Sequence, residues 1–336
     1  MRLAVPLAID PSCFASWRQD APVAVLEGET MGTTWRVKIA APPGFERATI
    51  LAAIEARLET ILAQMSHWRA ESVLGRFNRA PGGAWHTLPA DFALVMETAL
   101  DVAERSAGAF DPAIGALVDI WGHGPVQVAR PPQPAEVARA LAQSGFRRLA
   151  HDRHPPRLRQ PGGLRLDLSG IAKGFAVDAL ARLLRDHRCE HALVEIGGEL
   201  AGLGLRPDGD PWWVELETPA PAIAPLAIAP LAIAPLRIAL HQLAVATSGD
   251  YVRGRHTIDP RSGCPVDHAM AISVIHPSAM LADAWATALG VLEPTAMQAL
   301  CLRERLAVRA LVRRGDEAVE WISPALDAMI GPTDET

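Results

Sequence analysis

The sequence predicts a mixed α+β protein, and three observations carry that expectation. Strand-like segments recur along most of the chain, amphipathic helical runs come in groups, and the two do not alternate strictly as a parallel βαβ sheet requires. The 336 residues, 49% hydrophobic and 21% charged, supply ample apolar surface for a core. At about 100–200 residues per domain they fit two domains or one large globule.

Residues 1–27 read as an irregular leader. Met1–Ile9 opens like a short signal peptide, but Asp10 and Pro11 cut the run, and Cys13 lacks the small residues that precede a lipidated cysteine. The chain as written is therefore expected in the cytoplasm; a start lying elsewhere makes it periplasmic and membrane-associated. Thr34–Ile39 alternates at period two, as a strand does. Ile50, Leu51, Ile54, Leu58, Ile61, Leu62 and Met65 recur at three and four, predicting a helix over 46–65. Phe92, Val95, Met96, Ala99, Leu100 and Ala103 mark a second helix, and after the break at Pro131–Pro134 a third covers Ala135–Ser144. Leu164–Leu168 alternates as a strand and runs into a helix on Phe175, Ala179, Leu180, Leu183 and Leu184. Further strands are expected at 192–196, 213–217, 236–240, 270–276, 307–312 and 318–322, with a helix at about 280–291. Residues 323–336 read as a C-terminal tail. The Pro-Leu-Ala-Ile-Ala repeat within 221–235 matches neither helix nor strand, and each proline removes a ladder donor. It reads as an extended connection.

Charge and composition exclude whole classes. A formal net charge of −6 argues against a general nucleic-acid binder. No apolar run approaches the roughly 18 residues of a membrane span, so no integral span is expected. The cysteines at 13, 189, 264 and 301 show no zinc-finger spacing and read as ordinary thiols.

Three segments carry candidate chemistry. In Asp167–Gly174 a strand meets a turn with Gly170 and Gly174 as a helix begins, with Lys173 beside its N-terminus. Such a turn admits a phosphate, or is simply a tight strand–helix junction. In Met280–Ala288, Asp283 and Thr287 are i and i+4 among alanines, so a carboxylate and a hydroxyl share one helix face. That pair suits a hard cation such as Mg²⁺; alternatively Asp283 caps the helix and Thr287 bonds a backbone carbonyl. Ala246–Tyr251 and His256–Gly263 are dense polar turns. His256 is a candidate base, while Asp-Pro and Ser-Gly are also ordinary turn chemistry.

These segments, in this order, resemble the FAD:protein FMN transferase family, also called the ApbE family. Further matches are Glu29–Trp35, Met65–Trp68, Ser72–Asn78, Gly108–Pro112, Gly115–Val118 and Ile196–Glu199. The resemblance covers residues 28–322. It implies two closely packed lobes of mixed, largely antiparallel sheet with helices, an ApbE/T-fold-like α+β architecture. It also implies Mg²⁺-dependent transfer of FMN from FAD to a threonine hydroxyl of an acceptor flavoprotein, with release of AMP. The acceptor would carry an Asp-Gly-x-Ser-Gly-Ala-Thr-like segment. Carried over residue by residue, Mg²⁺ would be held by Asp283, Thr287 and the Gly170 carbonyl. FAD would meet Met31, Trp68, Ala109, Phe110, Asp111, Asp167, Lys173 and the backbone near Ile258. His256 matches the family's conspicuous histidine and is the expected base, with Asp283 its rival. A metal-dependent FAD pyrophosphatase and a non-catalytic FAD carrier are the alternative functions.

Overall fold

The alternation predicted near the N-terminus and the apolar runs of the C-terminal half build one long antiparallel sheet. The computed structural model describes residues 1–126, 128–219, 233–250, 256–315 and 317–331. In chain order the elements are β1 (Arg2–Ala4), β2 (Val23–Thr30), β3 (Thr33–Ala40), α1 (Arg47–Met65), α2 (Val73–Arg79), β4 (Trp85–Thr87), α3 (Ala90–Arg105), α4 (Gly115–Ile120) and α5 (Pro134–Gln143). There follow β5 (Ala150–Arg153), β6 (Pro156–Arg159), α6 (Ala172–Asp186), β7 (Ala192–Ile196), β8 (Glu199–Leu203), β9 (Trp212–Glu215), β10 (Leu236–Leu240) and β11 (Leu243–Ser248). The chain ends with β12 (Ala269–His276), α7 (Ala279–Val291), α8 (Pro294–Glu304), β13 (Ala307–Arg314), β14 (Glu317–Ile322) and α9 (Pro324–Asp327). The α+β class is as the sequence predicts.

Two compact units divide the chain. The first comprises residues 1–57, 173–252 and 267–336, the second 58–172 and 253–266. In the first unit an eight-stranded sheet runs β14-β13-β12-β11-β8-β7-β3-β2, every neighbouring pair antiparallel. Helix α7 packs on β11 and β12. It is apolar on nearly every side and is accordingly buried, as an all-round hydrophobic helix must be. A smaller sheet, β1-β10-β9, is mixed, because β1 runs parallel to β10. In the second unit β4-β6-β5 form an antiparallel sheet, and α3 packs against β6.

The structure departs from three expectations. Residues 1–27 are not an irregular leader. Ala4 is fully buried in one core with Leu236, Ile238 and Met329, β1 is paired, and β2 already begins at Val23. Residues 323–331 of the expected tail are likewise built in through α9 and a bridge from Ile330 to Ala4, and 332–336 lie outside the described residues. Leu164–Leu168 forms no ladder. Asn78 accepts from the Leu166 amide and donates to its carbonyl, at 2.7 and 2.9 Å, and the Gly115 amide donates to Arg165. The segment's backbone groups are thus satisfied by a side chain and a loop, and alternation alone does not reveal that. Most of the proline repeat, residues 220–232, lies outside the described residues, as does Tyr251.

Among the described residues no helix is long and apolar enough to cross a membrane. All four cysteines are free thiols, as expected, and only Cys264 is exposed.

Candidate functional site

In the first unit the candidate chemistry gathers where α6 meets α7. Asp283 lies in the second turn of α7 and is 4% exposed. It does not cap that helix. Ser278 does, accepting from the Leu281 amide at 3.3 Å, and Asp178 of α6 reinforces the cap by accepting from Ser278, Ala279 and Met280. Asp283 instead accepts from the Gly174 amide at 3.0 Å. That amide, expected to be open to a phosphate, is therefore engaged within the protein. A Cβ on residue 174 would stand 2.2 Å from the Ala279 carbonyl oxygen, so only glycine lets α6 come this close.

Lys173 reaches Glu199 at the start of β8, and its ammonium donates to Glu199 Oε1. Glu199 is 3% exposed and its Oε2 has no hydrogen-bond partner. Burial pushes its carboxyl up to about 7, the Lys173 charge opposes that, and nearby Asp283 adds to it. Burial raises the Asp283 carboxyl as well, against the pull of Lys173. Thr287, half-buried, follows one turn along the same helix.

Two buried carboxylates with one ammonium leave an excess of negative charge, and one carboxylate oxygen is orphaned. Such a donor set fits a hard, oxygen-seeking cation. Among the described residues no three His, Cys, Asp or Glu side chains form a metal-binding group, so any cation here would use a hydroxyl or backbone carbonyls too.

Met31 also belongs to this unit. The register Thr30↔Thr33 leaves Met31 and Gly32 as a two-residue turn, at φ 51° and 70°. Both angles suit a type I′ hairpin, but the left-handed region costs methionine what it spares glycine. Backbone held this way at a candidate site is a reason to suspect function.

The second unit holds the other candidates. Asp167 is a hub: it accepts from the amide and hydroxyl of Ser169 and faces His67 Nδ1 at 3.5 Å. The other ring nitrogen of His67 is buried without a partner. Asp119 pairs with Arg165. Burial pushes the Asp119 carboxyl up, against the pull of that guanidinium. Trp68 is 65% exposed, so its ring is open to stacking. Ala109 and Phe110 are buried. Asp111 accepts from the amides of Ala113 and Phe146, at 2.7 and 3.0 Å, and so holds its own turn. Burial raises its carboxyl to about 6. Gly170 lies in the turn before α6.

Ile258 and His256 sit on a small hairpin. Ile258 bridges Pro265, and the Val266 amide donates to Thr257 at 2.9 Å. Trp121 of the same unit anchors the hairpin by donating to the Gly263 carbonyl at 2.8 Å. Ile258 is buried with Ala116 and Leu117. The His256 ring lies edge-on to His123, centroids 6.4 Å apart.

The structure thus brings Lys173 and Asp283 together in one unit, with Met31 and Thr287 also in that unit, and places Trp68, Ala109, Phe110, Asp111, Asp167, Gly170, His256 and Ile258 in the other. Reading the sequence assigned no role to Glu199, Asp178 or His67. Glu199 follows two glycines at a strand start, a signal that points to a close approach; Asp178 has none, since its partners lie about a hundred residues away.

The chain as a whole is similar to known proteins. Residues 31–312 match the model of the ApbE family. The FAD:protein FMN transferase of Salmonella typhimurium is 33% identical over 313 residues, 89% of this chain and 87% of that protein. That of Vibrio cholerae is 34% identical over 329 residues, 92% and 93% of the two chains. Among solved structures, the flavin transferase ApbE from Vibrio cholerae superposes with a TM-score of 0.83 at 31% identity, covering 92% of this chain and 100% of that one. The apo form of the Pseudomonas stutzeri flavinyl transferase ApbE gives 0.83 at 33% identity, covering 93% and 97%. With a family match across most of its length and relatives this similar end to end, the chain belongs to the ApbE family.

Proposed function

We propose that this protein is a transferase that moves FMN from FAD to a threonine hydroxyl of an acceptor flavoprotein, with AMP as the leaving group. The observation that carries the reading is the buried Lys173–Glu199–Asp283 group at the junction of α6 and α7, in a chain of this family. FAD brings a doubly charged pyrophosphate to a protein whose own net charge is −6. Local positive potential must offset that repulsion. Lys173 at the α6 N-terminus adds some, but it is already paired with Glu199 beside a second buried carboxylate, so a bound cation must supply the rest of the offset.

Mg²⁺, when bound, neutralises phosphate charge and polarises the P–O bond. Asp283 and Thr287 would hold it, with the Gly170 carbonyl as the third ligand. Trp68 would stack on a ring of FAD, and the Met31 turn, the Ala109–Asp111 turn, Asp167 and the backbone at Ile258 would line its site. In the transfer the threonine oxygen bonds to the FMN phosphorus as the bond to the AMP oxygen breaks. His256 accepts the threonine proton, and AMP departs with the electron pair. No enzyme nucleophile is needed, because alignment of three atoms does most of the work.

Mass spectrometry of purified protein with FAD, Mg²⁺ and an acceptor peptide tests this. The acceptor should gain the mass of an FMN group, and the gain should vanish with EDTA or with Asp283→Ala. AMP and free FMN without labelling would replace transfer with hydrolysis, and intact FAD would leave only a carrier. His256→Ala at full transfer rate would remove His256 as the base.

A further inference from the structure

The hairpin that bears His256 is held twice by one short turn of its own unit. Helix α4 ends at Ile120, and the residues just beyond it close the helix. The Gly122 amide donates to the Asp119 carbonyl and the His123 amide to the Val118 carbonyl, both at 3.0 Å. Gly122, at φ 78°, makes the left-handed step that this closure needs. The helix end thereby fixes where the backbone at 121–123 lies.

From this turn two side chains reach the hairpin. Trp121 donates from its indole to the Gly263 carbonyl at 2.8 Å. His123 sets its ring against that of His256, with centroids 6.4 Å and planes 77° apart. Between those two points the hairpin is tied to itself. Ile258 bridges Pro265, the Asp259 amide donates to the Cys264 carbonyl at 2.9 Å, and the Val266 amide to that of Thr257 at 2.9 Å. Ile258 is buried in one cluster with Ala116, Leu117 and Val118 of α4. All of these residues belong to the second unit. An edge-on pair puts the positive rim of one ring against the negative face of the other, so it favours an angle as well as a distance. That matters for an imidazole. The χ2 torsion of histidine is broad and roughly two-fold, so a ring without such a neighbour turns, and its basic nitrogen moves with it.

We infer that His123 is a positioning residue for transfer: the turn that anchors the hairpin through Trp121 sets the His123 ring against His256 and holds that imidazole in the orientation in which it accepts the threonine proton. The inference rests on the proposed role of His256, but the ring contact can be tested apart from it. His123 acts here through the neighbouring ring and needs no proton of its own, so another aromatic ring at this position should serve.

The test uses the full-length enzyme with FAD, Mg²⁺ and the acceptor peptide. His123→Ala should lower kcat for FMN transfer about two- to tenfold, the worth of one aromatic pair, with KM for FAD unchanged within about twofold. His123→Phe keeps a ring and should recover most of the rate. In a His256→Ala background, His123→Ala should cost nothing more. The sequence has 11 histidines, and labelling each with ¹³C at Cε1 lets the His256 ring signal be assigned by its loss in His256→Ala. That signal should broaden or split in His123→Ala, as the ring turns, and stay single in His123→Phe. A single, sharp His256 signal in His123→Ala, a phenylalanine variant as slow as the alanine one, or a rate loss that multiplies on top of His256→Ala would overturn the inference. Should His256→Ala itself transfer at full rate, the base assignment fails, and the ring signal still decides whether His123 orients His256. If His123→Ala does not fold, His123→Leu, which fills the space without a ring, carries the same comparisons.

Discussion

The Gly174 amide donates to the Asp283 carboxylate at 3.0 Å, across a contact that has no room for a side chain on residue 174. One glycine thereby joins two tasks. It lets α6 approach α7 and it orients a carboxylate that is 4% exposed. Gly174→Ala should destabilise the protein by about 1–3 kcal/mol or more, since a Cβ 2.2 Å from a backbone oxygen forces helix against helix. Urea denaturation measures the loss. A variant as stable as the parent would mean that the two helices slide apart freely.

The Lys173–Glu199 pair makes stability depend on pH in a direction opposite to most carboxylates. Burial raises the Glu199 carboxyl from 4.5 to about 7 in the folded protein. The folded state therefore holds a proton that the unfolded state has released. The contribution of Glu199 is greatest below its unfolded value and is lost as pH rises from about 4.5 to about 7. Metal-free protein should show this loss in urea melts across that window, and Glu199→Gln should flatten it. Lys173→Met leaves two buried carboxylates uncompensated and should cost about 3–5 kcal/mol near neutral pH. If Glu199→Gln keeps the full slope, another group carries it.

What could be read from the sequence divides along physical lines. Asp283 and Thr287 were legible because helical spacing is local: i and i+4 share a face whatever the rest of the chain does. The strands at 192–196 and 236–240 were legible for the same reason, as short, mostly apolar runs broken only by Glu195 and Arg237. Leu164–Leu168 misled because alternation reports which side is buried and not what its backbone bonds to; Asn78 takes the ladder's place. Residues 1–27 misled because β1 is a three-residue strand whose partner, β10, is more than two hundred residues away. Asp178 was invisible because a cap built in trans leaves no mark on its own helix. The Asp283 amide contact could not be read either, since Gly174 looks the same whether its space is taken by a ligand or by a helix.

Trp68 separates binding from folding. At 65% exposed, its ring contributes little to the core, so Trp68→Ala should change stability by no more than about 0.5 kcal/mol. If it stacks on FAD, the same variant should weaken FAD binding by roughly 0.5–1.5 kcal/mol, about two- to tenfold. Equilibrium dialysis against FAD reads the affinity, and a thermal melt reads the fold. Unchanged FAD affinity would remove Trp68 from the site.

Asp283 and Thr287 predict opposite responses of the metal-free and metal-loaded protein. Without metal, Asp283 is a buried carboxylate pushed towards its neutral form by desolvation. Asp283→Asn keeps an oxygen for the Gly174 amide and removes the charge, so the metal-free variant should be as stable as the parent or more so. With metal the order should invert. Mg²⁺ at about a hundred times its dissociation constant stabilises a binding protein by roughly 2.7 kcal/mol, and Asp283→Asn should lose that gain. Thr287→Val preserves the shape of the side chain and deletes its oxygen, so it should fold normally and need about tenfold more Mg²⁺ for the same gain, a difference of ~1.4 kcal/mol. Thermal melts over a Mg²⁺ series, after EDTA treatment, measure both without any turnover. A Thr287→Val protein with the parent's Mg²⁺ response would take the hydroxyl out of the ligand set. A parent protein whose melting point ignores Mg²⁺ would leave the orphaned Glu199 oxygen and the buried Asp283 to some other cation.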